Sequence, residues 1–198
     1  MKPVTLLLML AMIFSSPGFA AEYTQPGQLS PPPGPAKKLG DASRKAAQEA
    51  EAAARQAAAD AKKALERSEE TAGRVSKAIA EGIRRAARKA AESATRFEAK
   101  ADASAAKAID ASRDAARAAA DGSKRAAAAA REALAKAEEA SRRAVSSSME
   151  EAGKAAEATR SALRQAEEAT RSAAEAAREA ARRTRDALRP AAPPSPGK

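Results

Sequence analysis

The feature that most limits what this chain can become is an eleven-residue spacing of uncharged residues through its central region. Starting at Ala42, steps of eleven reach Ala53, Ala64, Val75, Ala86, Phe97, Ala108, Ala119 and Ala130 without meeting a charge. A second series runs Ala46, Ala57, Ser68, Ile79, Ala90, Ala101, Ser112, Ser123 and Leu134, and a third runs Ala50, Ala61, Ala72, Ile83, Ala94, Ala105, Ala116 and Ala127. Together they make a stripe of about 3.67 residues per turn, close enough to the natural helix that it runs almost straight along the axis, which favours straight or slightly right-handed packing. Past Leu134 the stripe slips by one residue and continues less strictly through Ala137, Ser141, Val145, Met149, Ala152 and Leu163.

Between Asp41 and Arg189 there is no proline, and alanine, the best helix former, alternates with Glu, Lys and Arg. The expectation is therefore an all-α chain: one long alanine-rich helix of about 220 Å, or a helical hairpin. Gly73, Gly82, Gly122 and Gly153 each cost about 1 kcal/mol relative to alanine inside a helix. Asp121-Gly122-Ser123 has the composition of a tight turn. The stripe holds its phase through Gly73, Gly82 and Gly122, however, so kinks are expected there more than loops. The best hinge is 146–148, where Ser148, followed three residues later by Glu151, fits a capping box that would start a last helix.

The opposite face carries Lys63, Arg74, Arg85, Arg96 and Lys107 at the same spacing, with Glu70, Glu81 and Glu92 four residues before Arg74, Arg85 and Arg96. That is the favourable order for helical ion pairs, each contributing a few tenths of a kcal/mol, and the row reads as a solvated face.

The ends are different. Met1-Lys2, an apolar run from Val4 to Phe14, and the small residues Gly18 and Ala20 have the three-part layout of a secretory signal over 1–20, which points to the periplasm or the exterior. The apolar run would rise only about 16 Å as a helix, roughly half a hydrocarbon core. Residues 21–40, with Pro26, Pro31, Pro32, Pro33 and Pro35, read as a disordered spacer that cannot hold a helix. The helical region is then 41–189, and 190–198, again rich in proline, is a disordered tail.

Composition decides how much such a helix can bury. Hydrophobic residues make up 44 % of the chain but are mostly alanine, with 3 Phe, 1 Tyr and no Trp. A buried methyl group contributes about 0.8 kcal/mol, so a lone helix is marginal. Self-association through the alanine stripe is the expected remedy, anchored by Val75, Ile79, Ile83 and Phe97; the same four residues equally suit the best-packed turn of an intramolecular helix pair.

With no His and no Cys, the chain has no imidazole base, no thiolate and none of the usual zinc or haem ligands, and no metal or cofactor is expected. The neighbouring carboxylates Glu69-Glu70, Glu138-Glu139, Glu150-Glu151 and Glu167-Glu168 point about 100° apart on a solvated helix, where nothing raises a pKa, so the reading is non-enzymatic.

Stretches such as Thr71–Glu81 and Thr170–Ala180, in their eleven-residue register, resemble late embryogenesis abundant proteins of the eleven-mer class, and more distantly the amphipathic repeats of exchangeable apolipoproteins. The first resemblance implies a chain largely unfolded in water that gains helix on drying or at membranes, where it protects proteins and bilayers. This sequence departs from that family in preferring Arg to Lys, in its export signal and in its low glycine content. Apolipoprotein repeats also carry far more Leu, Phe and Trp than this stripe does.

The net charge of +10 falls to about +9 once Lys2 leaves with the signal. The expected function is that of an exported, self-associating helical structural or interaction protein of the cell envelope. Its cationic surface, including Arg84, Arg85, Arg88 and Lys89, would face anionic envelope polymers or lipid head groups. Conditional stress protection is the alternative. Nucleic acid is disfavoured by export, by interleaved acidic residues and by the lack of an aromatic stacking platform, although Arg182, Arg183, Arg185 and Arg189 form a second basic cluster.

Overall fold

A computed structural model describes residues 34–70, 76–146 and 148–189. The signal segment 1–20, most of the spacer, the tail from 190, and Gly73, Arg74 and Val75 lie outside the described residues.

Four helices carry the chain: α1 (Pro35–Glu69), α2 (Lys77–Ala106), α3 (Arg113–Ser146) and α4 (Met149–Ala187), with a single 3₁₀ turn at Asp110–Ser112 between α2 and α3. The expected all-α class is observed, but the single rod and the single hairpin are both replaced by a chain that reverses three times.

Helix α1 begins six residues before the expected boundary, with Pro35 in its first turn and Gly34 as its N-cap. A proline at this position loses nothing, because its missing N–H would be unpaired there anyway and its fixed φ suits a helix start. The part of the spacer after Gly34 is therefore helical.

Helix α3 ends at Ser146 and α4 begins at Met149, and residue 147 between them lies outside the described residues. Ser148 is the N-cap of α4, its Oγ accepting from the Glu151 N–H at 3.4 Å. Ser76 caps α2 in the same way, accepting from the Ile79 N–H at 3.4 Å. The break after α2 has no glycine or proline in it. The chain turns at Lys107, and the Ser112 hydroxyl donates to the Ile109 carbonyl at 3.3 Å. Asp121-Gly122-Ser123 makes no turn; both Gly82 and Gly122 stay within helices, as does Gly153.

Contacts between helices fix the direction of each. Asp60 and Glu49 of α1 bond to Ser93 and Lys100 of α2. Glu98 and Asp102 of α2 pair with Arg131 and Lys124 of α3. Gly122 of α3 faces Ala173 of α4, and Glu69 of α1 meets Arg164 of α4. Partners that advance along one helix retreat along its neighbour: Glu49 and Asp60 meet Lys100 and Ser93, Glu98 and Asp102 meet Arg131 and Lys124, and Gly40 and Glu69 meet Leu188 and Arg164. Gly122, early in α3, meets Ala173, late in α4, so neighbouring helices run antiparallel. Each helix packs on two others and the diagonals hardly touch, which makes an up-down-up-down four-helix arrangement about 50 Å long.

The stripe faces inward. Among the described residues every buried apolar side chain is alanine except Phe97 and Leu163. Phe97 centres one layer, with Ala54 and Ala57 of α1, Ala119 and Ala126 of α3, and Ala173 and Ala177 of α4 around it. Leu163 belongs to a second layer, edged by the half-buried Leu65, Ile83 and Leu134. Alanine lets helix backbones come close, and the tightest approach uses glycine: a methyl group at Gly122 would stand 3.1 Å from the Ala173 Cβ and 3.2 Å from its Cα.

Buried hydroxyls are accommodated locally. Thr159, Thr170 and Thr184 of α4 each donate to the carbonyl four residues back, at 2.9, 2.6 and 2.8 Å. With that bond made, each can be buried without leaving a polar group unpaired.

Candidate functional site

The residues singled out for self-association do not stand together on the surface. Phe97 is wholly inside the bundle, while Ile79 and Ile83 are half-buried near the start of α2. Val75 lies outside the described residues. The stripe offered for pairing between chains is covered within one chain, and pairing through it would require the helices to part.

The cationic group on α2 is partly engaged inside the molecule. The Arg88 guanidinium is 3.5 Å from Glu138 of α3, and the Lys89 ammonium is 3.5 Å from Asp60 of α1. Arg85 is exposed and Arg84 half-buried. The row on the outer face is solvated as expected, with Lys63, Arg85, Arg96 and Lys107 all exposed; Glu92 and Arg96 meet at 3.7 Å.

The sequence reading missed Asp60. Its side chain is 1 % exposed, the one buried carboxylate among the described residues, in an alanine interface between α1 and α2. Its Oδ2 accepts from Ser93 at 2.6 Å and from Gln56 at 2.8 Å, while Oδ1 is buried with no hydrogen bond and only the Lys89 charge nearby. Burial pushes its pKa up, but the bonds from Ser93 and Gln56 and the charge of Lys89 outweigh that and hold it below the ordinary value. A signal for it existed. Stepping on by eleven from Asp60 gives Thr71, Gly82, Ser93, Ser104, Ala115 and Ala126, all uncharged, so at Asp60 a charge enters a row that from there on is free of charge beside the stripe. Its partners all lie within the bundle, and through Ser93 and Lys89 it ties α1 to α2.

What remains outside is charge, and it is unevenly placed. Antiparallel packing brings 34–49, 100–117 and 178–189 to one end, where thirteen Lys and Arg stand against seven Asp and Glu. The rest of the described bundle carries twenty against eighteen and is nearly neutral. Between α1 and α2 at the basic end is a cleft of about 200 Å³ lined by Lys45, Lys100, Lys107, Glu49 and three alanines. Lys100 donates to Glu49 at 2.6 Å, and that bond, with the nearby Lys45 and Lys107 charges, holds the Glu49 pKa below its ordinary value. The second basic cluster noted in the sequence, Arg182 to Arg189, belongs to the same end. The first, Arg84 to Lys89, belongs to the neutral remainder.

Among the described residues no group of His, Cys, Asp or Glu is placed to hold a metal ion, and no helix is long and apolar enough to cross a membrane. No protein family, curated protein or solved structure matches the chain.

Proposed function

We propose that this is a non-catalytic, exported interaction protein of the cell envelope, a cationic helical bundle held against anionic polymers or lipid head groups. The observation that carries the reading is the division of labour between faces. The apolar stripe is covered inside the chain, and about three quarters of the net positive charge of the described residues is collected at one exposed end. Charge of one sign gathered on a rigid surface attracts its partner at long range and is screened by salt. The signal-like segment at 1–20 supplies the compartment. Fractionation of cells expressing the full chain with a C-terminal tag tests this directly. The expected result is a mature protein starting at Ala21, retained with the envelope at low salt and released by high salt. Retention of the uncut chain in the cytoplasm would refute it.

A second reading, conditional folding for stress protection, is favoured by one feature. Phe97 and Leu163 are the only large apolar side chains wholly buried among the described residues. Far-ultraviolet circular dichroism separates the readings: a cooperative thermal melt in plain buffer supports the standing bundle, and a coil that gains helix only on drying supports the protectant.

A further inference from the structure

Resting on the reading above, we propose that the basic end of the bundle is a docking surface for a flexible linear polyanion, with the cleft between α1 and α2 taking one anionic group of the chain. Cations are present there on all four helices: Lys45 on α1, Lys100 on α2, Arg117 on α3 and Arg185 on α4. A polymer with charges at regular intervals can follow such a ring around the bundle, whereas a flat bilayer meets one side of it at a time.

The distribution of apolar side chains points the same way. Of the large apolar residues that stand exposed, Val145 and Met149 are at the opposite end of the bundle, and Leu39 alone is near the cations. A surface built to enter a bilayer would combine its charges with apolar side chains that insert. Here two of the three exposed large apolar residues are at the end opposite the cations, and only Leu39 stands among them.

Several of these cations are uncommitted. Lys37, Lys38, Lys45, Lys107, Arg117 and Arg185 are exposed and make no ion pair among the described residues, so a ligand's anionic groups need displace no carboxylate to reach them. In the cleft, Lys100 is held in place by its 2.6 Å bond to Glu49, and Lys45 and Lys107 flank that pair. The one carboxylate there is outnumbered by three ammonium groups.

The test is a titration of the full mature chain with inorganic polyphosphate at a series of salt concentrations, compared with phosphatidylglycerol vesicles at equal anionic charge. The variant Lys45→Gln, Lys107→Gln, Arg117→Gln removes three cations from the basic end. The control Lys63→Gln, Arg85→Gln, Arg125→Gln removes three exposed cations from the neutral remainder, so the two have the same net charge. The expected result is tighter binding to polyphosphate than to vesicles, a loss of about tenfold or more for the end variant, and a loss under about threefold for the control. The slope of log affinity against log salt should fall by about 2 for the end variant, from three contacts at about 0.7 each on a single-stranded polyanion. If the end variant loses helicity, Lys37→Gln, Lys38→Gln, Arg185→Gln replaces it with the same expectation. Equal losses in the end variant and the control would overturn the docking surface while leaving an envelope role intact. Tighter binding to vesicles would likewise overturn the polymer. Binding to neither would remove the docking surface and the proposed function together.

Discussion

Replacing glycine by alanine at three helical positions gives results of opposite sign if the helices pack as described. Gly82 lies within α2 and Gly153 within α4, and a methyl group added at either meets nothing within 4 Å. Each substitution removes backbone freedom from the unfolded chain and stabilises by about 0.5–1 kcal/mol. In a chain of this size that is a rise in Tm of about 1–4 °C. At Gly122 the same intrinsic gain is opposed by a contact of 3.1 Å with the Ala173 Cβ and 3.2 Å with its Cα. Those atoms are an alanine methyl and the backbone carbon that carries it, neither of which can swing aside, so α3 and α4 must separate locally. Overpacking of this kind costs about 1–3 kcal/mol, leaving Gly122→Ala destabilised by about 1 kcal/mol and its Tm lowered by about 2–4 °C. Thermal melts of the three variants beside the parent, followed by circular dichroism, read all three signs. A rise for Gly122→Ala matching the other two would refute the α3–α4 packing.

Phe97→Ala removes the only wholly buried aromatic ring among the described residues and should cost about 3–5 kcal/mol in urea unfolding, whereas Met149→Ser, at 92 % exposure, should change stability by less than about 0.5 kcal/mol. Ser148→Ala removes the N-cap of α4 and should cost about 1 kcal/mol. Because the folded-state pKa of Asp60 lies below its unfolded value, its contribution is complete above the unfolded pKa, about 3.9, and is lost as pH falls below that through the folded value. Unfolding titrations from pH 7 to pH 3 should therefore show Asp60→Asn less stable than the parent at neutral pH, with the gap closing below about pH 4; a gap independent of pH would contradict the buried, ionised carboxylate.

The helices and their buried face were legible in the sequence because the eleven-residue stripe marks them directly: Ala46, Ala57, Ala90, Ala101, Ser112 and Ser123 are all buried. The Ser148 start was legible because its cap needs only local residues. The other two reversals were hidden by the same regularity that exposed the helices. A stripe that stays in phase through 71–76 and 107–112 is compatible with a continuous rod and with a chain folded back on itself, since phase records which side of a helix is apolar and not what covers it. Alanine adds to the ambiguity, because a methyl group fits against almost any neighbour and specifies none. Near 110 there was no glycine or proline to signal a break. The basic end was illegible for a related reason: it gathers residues from 34–49, 100–117 and 178–189, and only the antiparallel topology adds their charges together. Arg84, Arg85, Arg88 and Lys89 stood out because they are close in sequence, yet two of them are engaged by Glu138 and Asp60.

The central claim is that one chain covers its own stripe by folding into four antiparallel helices. The sequence contains no cysteine, so spin labels can be placed by Lys38→Cys and Arg185→Cys alone, at exposed positions near the Gly40–Leu188 contact of α1 with α4. Pulsed electron paramagnetic resonance on dilute, singly dispersed protein should give a narrow distance distribution under about 30 Å, as expected for neighbouring helices with axes about 8–10 Å apart plus the label arms. A hairpin hinged at 146–148 would place the labels about 100 Å apart and a single rod about 220 Å apart, beyond the range of the measurement, so loss of the short distance would contradict the account.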